Sequence, residues 1–181
     1  MSVTVPAPQA ARTARVWEVL GTVLDPEVPA LSVCDLGIVR EVLPQGDAPD
    51  SLLEIVLTPT YSGCPATELI ERHVLEAIAA AGLGPARVRL QRAPAWTTDW
   101  ISEQGKRKLR EYGIAPPCAV AAGDAVPVRF ISRRSVAGPS IACPRCASTD
   151  TTQLSAFGST ACKSLYRYLA CQEPFEYFKP I

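Results

Sequence analysis

The placement of cysteine constrains the fold of this chain more than any other feature of its sequence. Four of the seven cysteines lie between residues 143 and 171, and two of them, Cys143 and Cys146, are separated by only two residues. This spacing is typical of a knuckle, a tight turn that directs two thiolates at one zinc ion. Tetrahedral zinc needs two more donors, and Cys162 and Cys171 follow the knuckle. The sequence therefore predicts a zinc site with these four cysteines as candidate ligands.

The second half of this predicted site is irregular. Cys162 and Cys171 are too far apart in sequence to form a second knuckle, so closure by four cysteines is one interpretation. The alternative is that these cysteines are uncoordinated or redox-exchanging thiols. We expect residues 126–181 to form a zinc-ribbon-like β module, which has too little core of its own and gains much of its stability from the metal.

The overall composition predicts a cytoplasmic protein. An odd number of cysteines cannot form a complete internal disulfide set, and the first twenty residues contain no apolar signal region. No apolar stretch approaches the length of a membrane span. Eighteen basic residues balance eighteen acidic ones, which argues against nucleic acid or an anionic membrane as the main partner.

The residues before the cysteine-rich region predict a compact α+β fold. Helical spacing of apolar residues covers 11–24, 66–81 and 100–112, and β-rich runs cover 38–43, 52–57 and 86–91. This order predicts a small three-stranded sheet with packed helices. We expect this first domain to span residues 9–113, followed by a linker at 114–125 and by the β module, whose first strand covers 126–131.

One cysteine of the first domain stands at a predicted helix start. Gly63-Cys64-Pro65 places Cys64 at the N-cap, where unpaired N–H groups and the helix dipole would stabilise a thiolate. Cys64 is thus a candidate reactive or metal-contacting thiol, and a small buried cap residue is an equally good interpretation. Asp25 and Asp35 lie in loops that the fold could bring near it.

The remaining candidates for chemistry are few. Cys34 and Cys118 have no partner at ligand spacing and are interpreted as core or linker residues. His73 is the only histidine, so no two-histidine metal site can form. The sequence contains no catalytic triad, P-loop or dinucleotide fingerprint. These observations predict a chain without catalytic activity of its own.

Three motifs in the first domain, in this order, resemble the SufT-like family, which supports the maturation of iron–sulfur proteins. The motifs are Asp25-Pro26-Glu27-Val28-Pro29, Asp35-Leu36-Gly37-Ile38-Val39 and Thr58-Pro59-Thr60-Tyr61-Ser62-Gly63-Cys64-Pro65. The resemblance covers residues 16–112. It implies that Cys64 is the family's helix-capping cysteine and that Asp25, Glu27 and Asp35 occupy its acidic signature positions.

The tail extends the resemblance to the D-component family (named J in some operons) of bacterial phenylacetyl-CoA ring epoxidase systems. The segments concerned are Cys143-Pro144-Arg145-Cys146, Phe157-Gly158-Ser159-Thr160-Ala161-Cys162-Lys163 and Glu173-Pro174-Phe175-Glu176-Tyr177-Phe178-Lys179. This resemblance implies an accessory factor that helps to assemble iron centres and has structural zinc and transient contact with iron or an iron–sulfur cluster. Its partners would be the oxygenase and reductase subunits. The alternatives are a structural or electron-transfer subunit of the complex and a general iron–sulfur assembly factor.

One position departs from the family pattern. In related tails a second C-x2-C pair ends at the position of Cys171, and its first cysteine would fall at Tyr168. Three outcomes are open here: Cys162 supplies the fourth thiolate, three protein ligands hold the metal, or the metal has been lost.

Overall fold

A computed structural model describes residues 7–48, 50–61, 63–118, 141–170 and 172–181. It contains two compact units, Met1–Gly105 and Lys106–Ile181, and each has its own β-sheet. The predicted strand at 126–131 and Cys171 lie outside the described residues. Among the described helices, none is long and apolar enough to cross a membrane.

The first unit confirms the predicted α+β fold. Its elements are α1 (Ala7–Leu20), β1 (Val39–Gln45), β2 (Leu52–Leu57), α2 (Thr67–Ala80), β3 (Ala86–Leu90), a 3-10 turn (Thr98–Trp100) and the start of α3 (Glu103–Tyr112). The strand order is β1-β2-β3; β1 and β2 form an antiparallel hairpin, and β3 runs parallel to β2. A parallel pair needs a long crossover connection, and α2 provides it.

The core of this unit lies between the sheet and α2. Ile70, Val74 and Ile78 are buried at four-residue intervals, which places them on one helix face. The central strand β2 is buried along most of its length, including Glu54. This carboxylate forms ion pairs with Arg89 at 2.8 Å and Arg87 at 2.6 Å, and hydrogen bonds from Arg89 and then Arg87 lower the pKa of Glu54.

The second unit is built on a four-stranded sheet in the order β4-β7-β6-β5. Its strands are β4 (Ile114–Ala115), β5 (Thr151–Ser155), β6 (Lys163–Tyr168) and β7 (Pro174–Phe178). Residues 114 and 115 were expected to begin a linker, but they are buried and pair with β7 instead. The core of the unit consists of Ala115, Ile141, Cys143, Tyr166, Phe175 and Tyr177, with Tyr168 packed against it.

Candidate functional site

Three loops of the first unit meet at one end of its sheet. The loop before β1 lies there because Val39 pairs with Leu57, the last residue of β2. The loop after β3 also lies there because β3 runs parallel to β2 and ends opposite Leu57. Two hydrogen bonds continue the sheet into the loops, Thr58 N to Ile38 O at 2.9 Å and Gln91 N to Leu57 O at 2.8 Å. The topology thus brings the loops that contain Asp35 and Cys64 to the same end of the sheet.

Asp35 organises the loop in which it lies. Its Oδ2 accepts hydrogen bonds from the backbone N–H of Ser32 at 3.0 Å and from the Ser32 hydroxyl at 2.9 Å. Its Oδ1 is 3.4 Å from the hydroxyl of Ser102, which follows the 3-10 turn. Both Asp35 and Ser32 are buried. The carboxylate therefore fixes local structure, since buried donors need an acceptor.

The segment 96–100 also contacts the loop that contains Asp35. The Trp96 indole N–H donates to the carbonyl of Leu36 at 2.9 Å. Gly37 has a φ of +67°, and a Cβ at this position would lie 2.5 Å from the carbonyl oxygen of Trp100. The guanidinium of Arg40 stacks 3.5 Å above the Trp100 ring. Sequence reasoning did not identify these contacts. The signal for them was the close spacing of Trp96 and Trp100, which are two of the three tryptophans in the chain.

Asp25 likewise has a structural role, in a different part of the unit. Its Oδ1 accepts the backbone N–H groups of Glu27 at 2.9 Å and Val28 at 2.7 Å. Asp25 also lines a groove of about 520 Å³ along the second half of α2, together with His73 and Glu76. Cys64 precedes the first turn of the same helix, so the structure does not bring Asp25 to Cys64.

The predicted N-cap at Cys64 needs correction. The helix begins at Thr67, its cap residue is Ala66, and no side chain caps it. Cys64 lies in the turn before, where its carbonyl accepts the Thr67 hydroxyl at 2.9 Å and the Thr67 N–H at 3.2 Å. Pro65 and Ala66 continue this turn, so the cap residue lies two positions beyond the predicted Cys64.

The two half-buried cysteines of this unit differ in environment. Burial, and then the charge of Asp35, raise the pKa of the Cys34 thiol to about 11. Cys34 is therefore a neutral thiol at physiological pH. Cys64, which is also half-buried, lies in the turn before α2. In the part of the chain that the structure describes, no three His, Cys, Asp or Glu side chains are grouped closely enough to hold a metal ion.

The knuckle of the second unit forms the predicted tight turn. The Cys143 N–H donates to Ser148 O and the Ala147 N–H donates to Cys143 O, both at 2.9 Å. Cys143 is buried and Cys146 is exposed. Burial acts to raise the pKa of the Cys143 thiol, but hydrogen bonds from the Arg145 and Cys146 backbone N–H groups outweigh it, and the pKa is lowered. Two thiols in such a turn are a donor set that fits zinc.

The structure does not bring Cys162 to this knuckle. Cys162 precedes the first residue of β6, and its Sγ contacts the Thr160 hydroxyl at 3.0 Å. The knuckle lies near the other end of β6, because Thr151 pairs with Tyr168 and its hydroxyl donates to Ile141 O at 2.7 Å. The loop around Cys162 is instead held by an ion pair between buried Lys163 and Glu176 at 2.8 Å.

Cys118, which the sequence placed in a core or linker, lies beside the knuckle region. Together with Cys143 it lines a cavity of about 300 Å³, whose other lining residues include Pro117, Pro144 and Ala147. Its backbone N–H lies 3.4 Å from the hydroxyl of Tyr177 on β7.

Family models match both parts of the chain. Residues 13–89 match the model of an iron–sulfur cluster assembly protein family, and residues 131–179 match the PaaD zinc beta ribbon domain. A protein of Escherichia coli (strain K12), provisionally named as the D component of 1,2-phenylacetyl-CoA epoxidase, is 46% identical over 166 residues. That match covers 92% of each chain.

One solved structure resembles about half of this chain in fold. A domain of unknown function, DUF59, from Bacillus anthracis matches 55% of this chain and 92% of its own length at 24% identity, with a TM-score of 0.50. It supports the fold alone. A Mycobacterium tuberculosis protein described as associated with Fe-S complex assembly and repair is 33% identical and matches 62% of this chain and 94% of its own. Its TM-score of 0.35 is too low to add to the comparison of folds.

Proposed function

The chain belongs to the PaaD family, the D component of phenylacetyl-CoA epoxidase, and on this premise we propose that it is a non-catalytic accessory factor for assembly of the iron centres of that epoxidase system. The observation that carries the proposal is the union of two domains in one chain, an iron–sulfur assembly domain and a zinc ribbon. The match to a named epoxidase component over 92% of the chain supports the link to the epoxidase. Its partners would be the oxygenase and reductase subunits, and its cargo iron or an iron–sulfur cluster.

The first unit would contact the client at the sheet end described above. Asp25 and Asp35 accept hydrogen bonds within their own loops, so their role is to hold these loops in shape. Glu27, which follows Asp25 in the same turn, is half-buried and donates its backbone N–H to that carboxylate. Burial raises the pKa of the neighbouring Cys34 thiol and keeps it protonated, so Cys64 would be the thiol of this surface that meets iron or the apo-protein. Thiolate sulfur is the usual protein ligand of iron–sulfur clusters.

The second unit would be closed by zinc. Cys143 and Cys146 supply two thiolates, and we propose Cys171 as a third from its sequence position. The metal would act as a structural cross-link for a unit whose sheet of four short strands encloses a small core.

A second candidate function is a permanent structural or electron-transfer subunit of the epoxidase. The observation in its favour is the name of the Escherichia coli relative, which is that of a subunit. The two candidates differ in when the protein is needed: an assembly factor is needed only while the iron centre is built, and a permanent subunit is needed in every catalytic cycle.

The experiment that tests the proposal removes the gene and measures metal in the partner subunits. We expect the oxygenase and reductase subunits to accumulate but to contain less iron or fewer clusters. Purified protein added to mature, iron-loaded epoxidase should not raise turnover, whereas its presence during maturation should. Normal metal content with lost turnover would refute the assembly role and favour the permanent subunit.

Cys64→Ser and Cys34→Ser form a matched pair for the same assay. Both remove one thiol from half-buried positions in loops at this sheet end, but burial raises the pKa of the Cys34 thiol and keeps it protonated. We expect the Cys64 variant to fail to restore metal content in the deletion strain and the Cys34 variant to restore it. Full restoration by both would remove Cys64 from the mechanism.

A further inference from the structure

We propose that the groove between α2 and the loop after α1 binds a segment of the client subunit in which a basic side chain stands next to an apolar one. The groove has a volume of about 520 Å³, and ligand sites commonly have volumes of about 300–1,000 Å³. The inference rests on the proposed function, because it names the kind of client segment that the first unit recognises. Cys64 does not line this groove, so the groove is a second contact with the client.

One wall of the groove is a second face of α2. Its lining residues recur at intervals of three and four positions, as residues on one helix face do. They are His73, Glu76, Ala77 and Ala80. The core face of the same helix is separate and contains Ile70, Val74 and Ile78. Ala77 and Ala80 have short side chains, so this second face leaves room beside the helix for the side chains of a ligand.

The opposite wall is the loop that follows α1, and its backbone is fixed. The Asp25 N–H donates to Leu31 O at 2.8 Å, and Leu24 and Ser32 form an isolated β-bridge. Although Val23 and Asp25 on either side are buried, the Leu24 side chain is 48% exposed and lines the groove. A ligand that covers Leu24 removes apolar surface from water without having to order this loop first, which lowers the cost of binding.

Charge selects a basic segment as the occupant. Two carboxylates, those of Asp25 and Glu76, line the groove, and no lysine or arginine is among the described residues that do so. Asp25 is buried and serves its own loop, whereas Glu76 is exposed and forms no ion pair within the described part of the chain. An acidic segment would meet like charges here, whereas a lysine or arginine would pair with Glu76. A metal ion does not fit, because no three ligand side chains are grouped among the described residues.

The apolar contacts and the ion pair contribute differently to binding. Leu24 is joined at the groove by two exposed prolines, Pro26 and Pro29. Because an exposed ion pair adds little free energy, these apolar side chains supply most of the affinity. Glu76 instead sets which segment is accepted and how it is oriented.

The test measures binding of the full chain to the metal-free oxygenase and reductase subunits by isothermal titration calorimetry, at low and at high salt. We expect the wild type to bind at least one of them, and more weakly at high salt, because salt screens the Glu76 pair. Glu76→Lys, which turns attraction into repulsion, and Leu24→Ser, which removes the apolar contact, should each weaken binding by about 10-fold. Glu76→Gln should reduce the salt dependence, a change that a purely structural role would not produce.

Glu41→Lys is the matched control. It makes the same change of charge at an exposed position of β1 that does not line the groove, so the affinity should stay at the wild-type value. Because the side chains of Leu24, Glu41 and Glu76 are all exposed, the urea midpoints of these variants should also stay at the wild-type value.

Four results would overturn the inference. Wild-type affinity in both groove variants, or an equal loss in the Glu41 variant, would do so and leave the assembly role intact. Loss of self-association in the groove variants, measured by analytical ultracentrifugation, with client binding unchanged would show that a second copy of this chain occupies the groove. A wild-type chain that binds neither metal-free subunit would also overturn it. Normal iron content in the deletion strain would instead refute the proposed function itself.

Discussion

Replacing Asp35 by alanine separates a structural role of the acidic motif from a direct role in metal handling. The substitution removes the acceptor for two donors of Ser32, its backbone N–H and its hydroxyl, in a site where both residues are buried. The hydroxyl can rotate toward another acceptor, but the backbone N–H cannot. Because an unsatisfied buried donor costs about 1–3 kcal/mol, we expect Asp35→Ala to destabilise the first unit by about 2–4 kcal/mol.

Asp35→Asn is the matched control because it removes the charge and keeps the shape. Its side-chain oxygen can accept both Ser32 hydrogen bonds, and its amide can donate to the Ser102 hydroxyl, which lies 3.4 Å from Oδ1. We therefore expect asparagine to cost less than about 1.5 kcal/mol. If Asp35 instead bound metal through its charge, both variants would be inactive, including the asparagine variant that keeps its stability.

Urea unfolding followed by tryptophan fluorescence measures this difference in the right unit. All three tryptophans, Trp17, Trp96 and Trp100, lie within Met1–Gly105, so the signal reports that unit alone. With a urea slope of about 2 kcal/mol/M, in the middle of the range for small proteins, Asp35→Ala should lower the midpoint by about 1–2 M. An alanine variant as stable as wild type, paired with an inactive asparagine variant, would refute the structural interpretation of this carboxylate.

Three further predictions concern the same unit. Thiol titration with mass mapping should find Cys64 more reactive than Cys34, whose raised pKa keeps it protonated near neutral pH. The lowered pKa of Glu54 means that its ion pairs stabilise the fold above the unfolded-state pKa and lose this effect as pH falls through the folded-state pKa. Glu54→Gln should therefore be less stable than wild type at neutral pH, and acid titration should abolish the difference; a gap that persists in acid would contradict this. Gly37→Ala should reduce the free energy of unfolding by at least about 1 kcal/mol, because the backbone at this position is left-handed and the added methyl group meets a carbonyl. Gly63→Ala, which has open space around it, should leave the urea midpoint unchanged.

Features that depend on neighbouring residues could be predicted from the sequence. Apolar spacing located α2, because a helix buries every fourth residue at Ile70, Val74 and Ile78. Local composition likewise predicted the strands at 52–57 and 86–91 and the turn between β1 and β2. The knuckle at Cys143 was predicted correctly as a tight turn, because its geometry is set within five residues.

Features that depend on distant residues became visible only in the folded chain. Ile114 and Ala115 show no strand pattern in the sequence. They form β4 because their backbone pairs with β7 at the edge of the sheet. The resemblance made Asp35 an acidic signature position, but its role as an acceptor depends on Ser32 and Ser102 folding around it. Cys118 has no partner at ligand spacing, and the pairing of β4 with β7 places it at the cavity that Cys143 lines. The spacing of residues along the chain predicts contacts within one turn of the backbone. A sheet instead joins distant residues according to the order of its strands, and the sequence of a single segment does not contain that order.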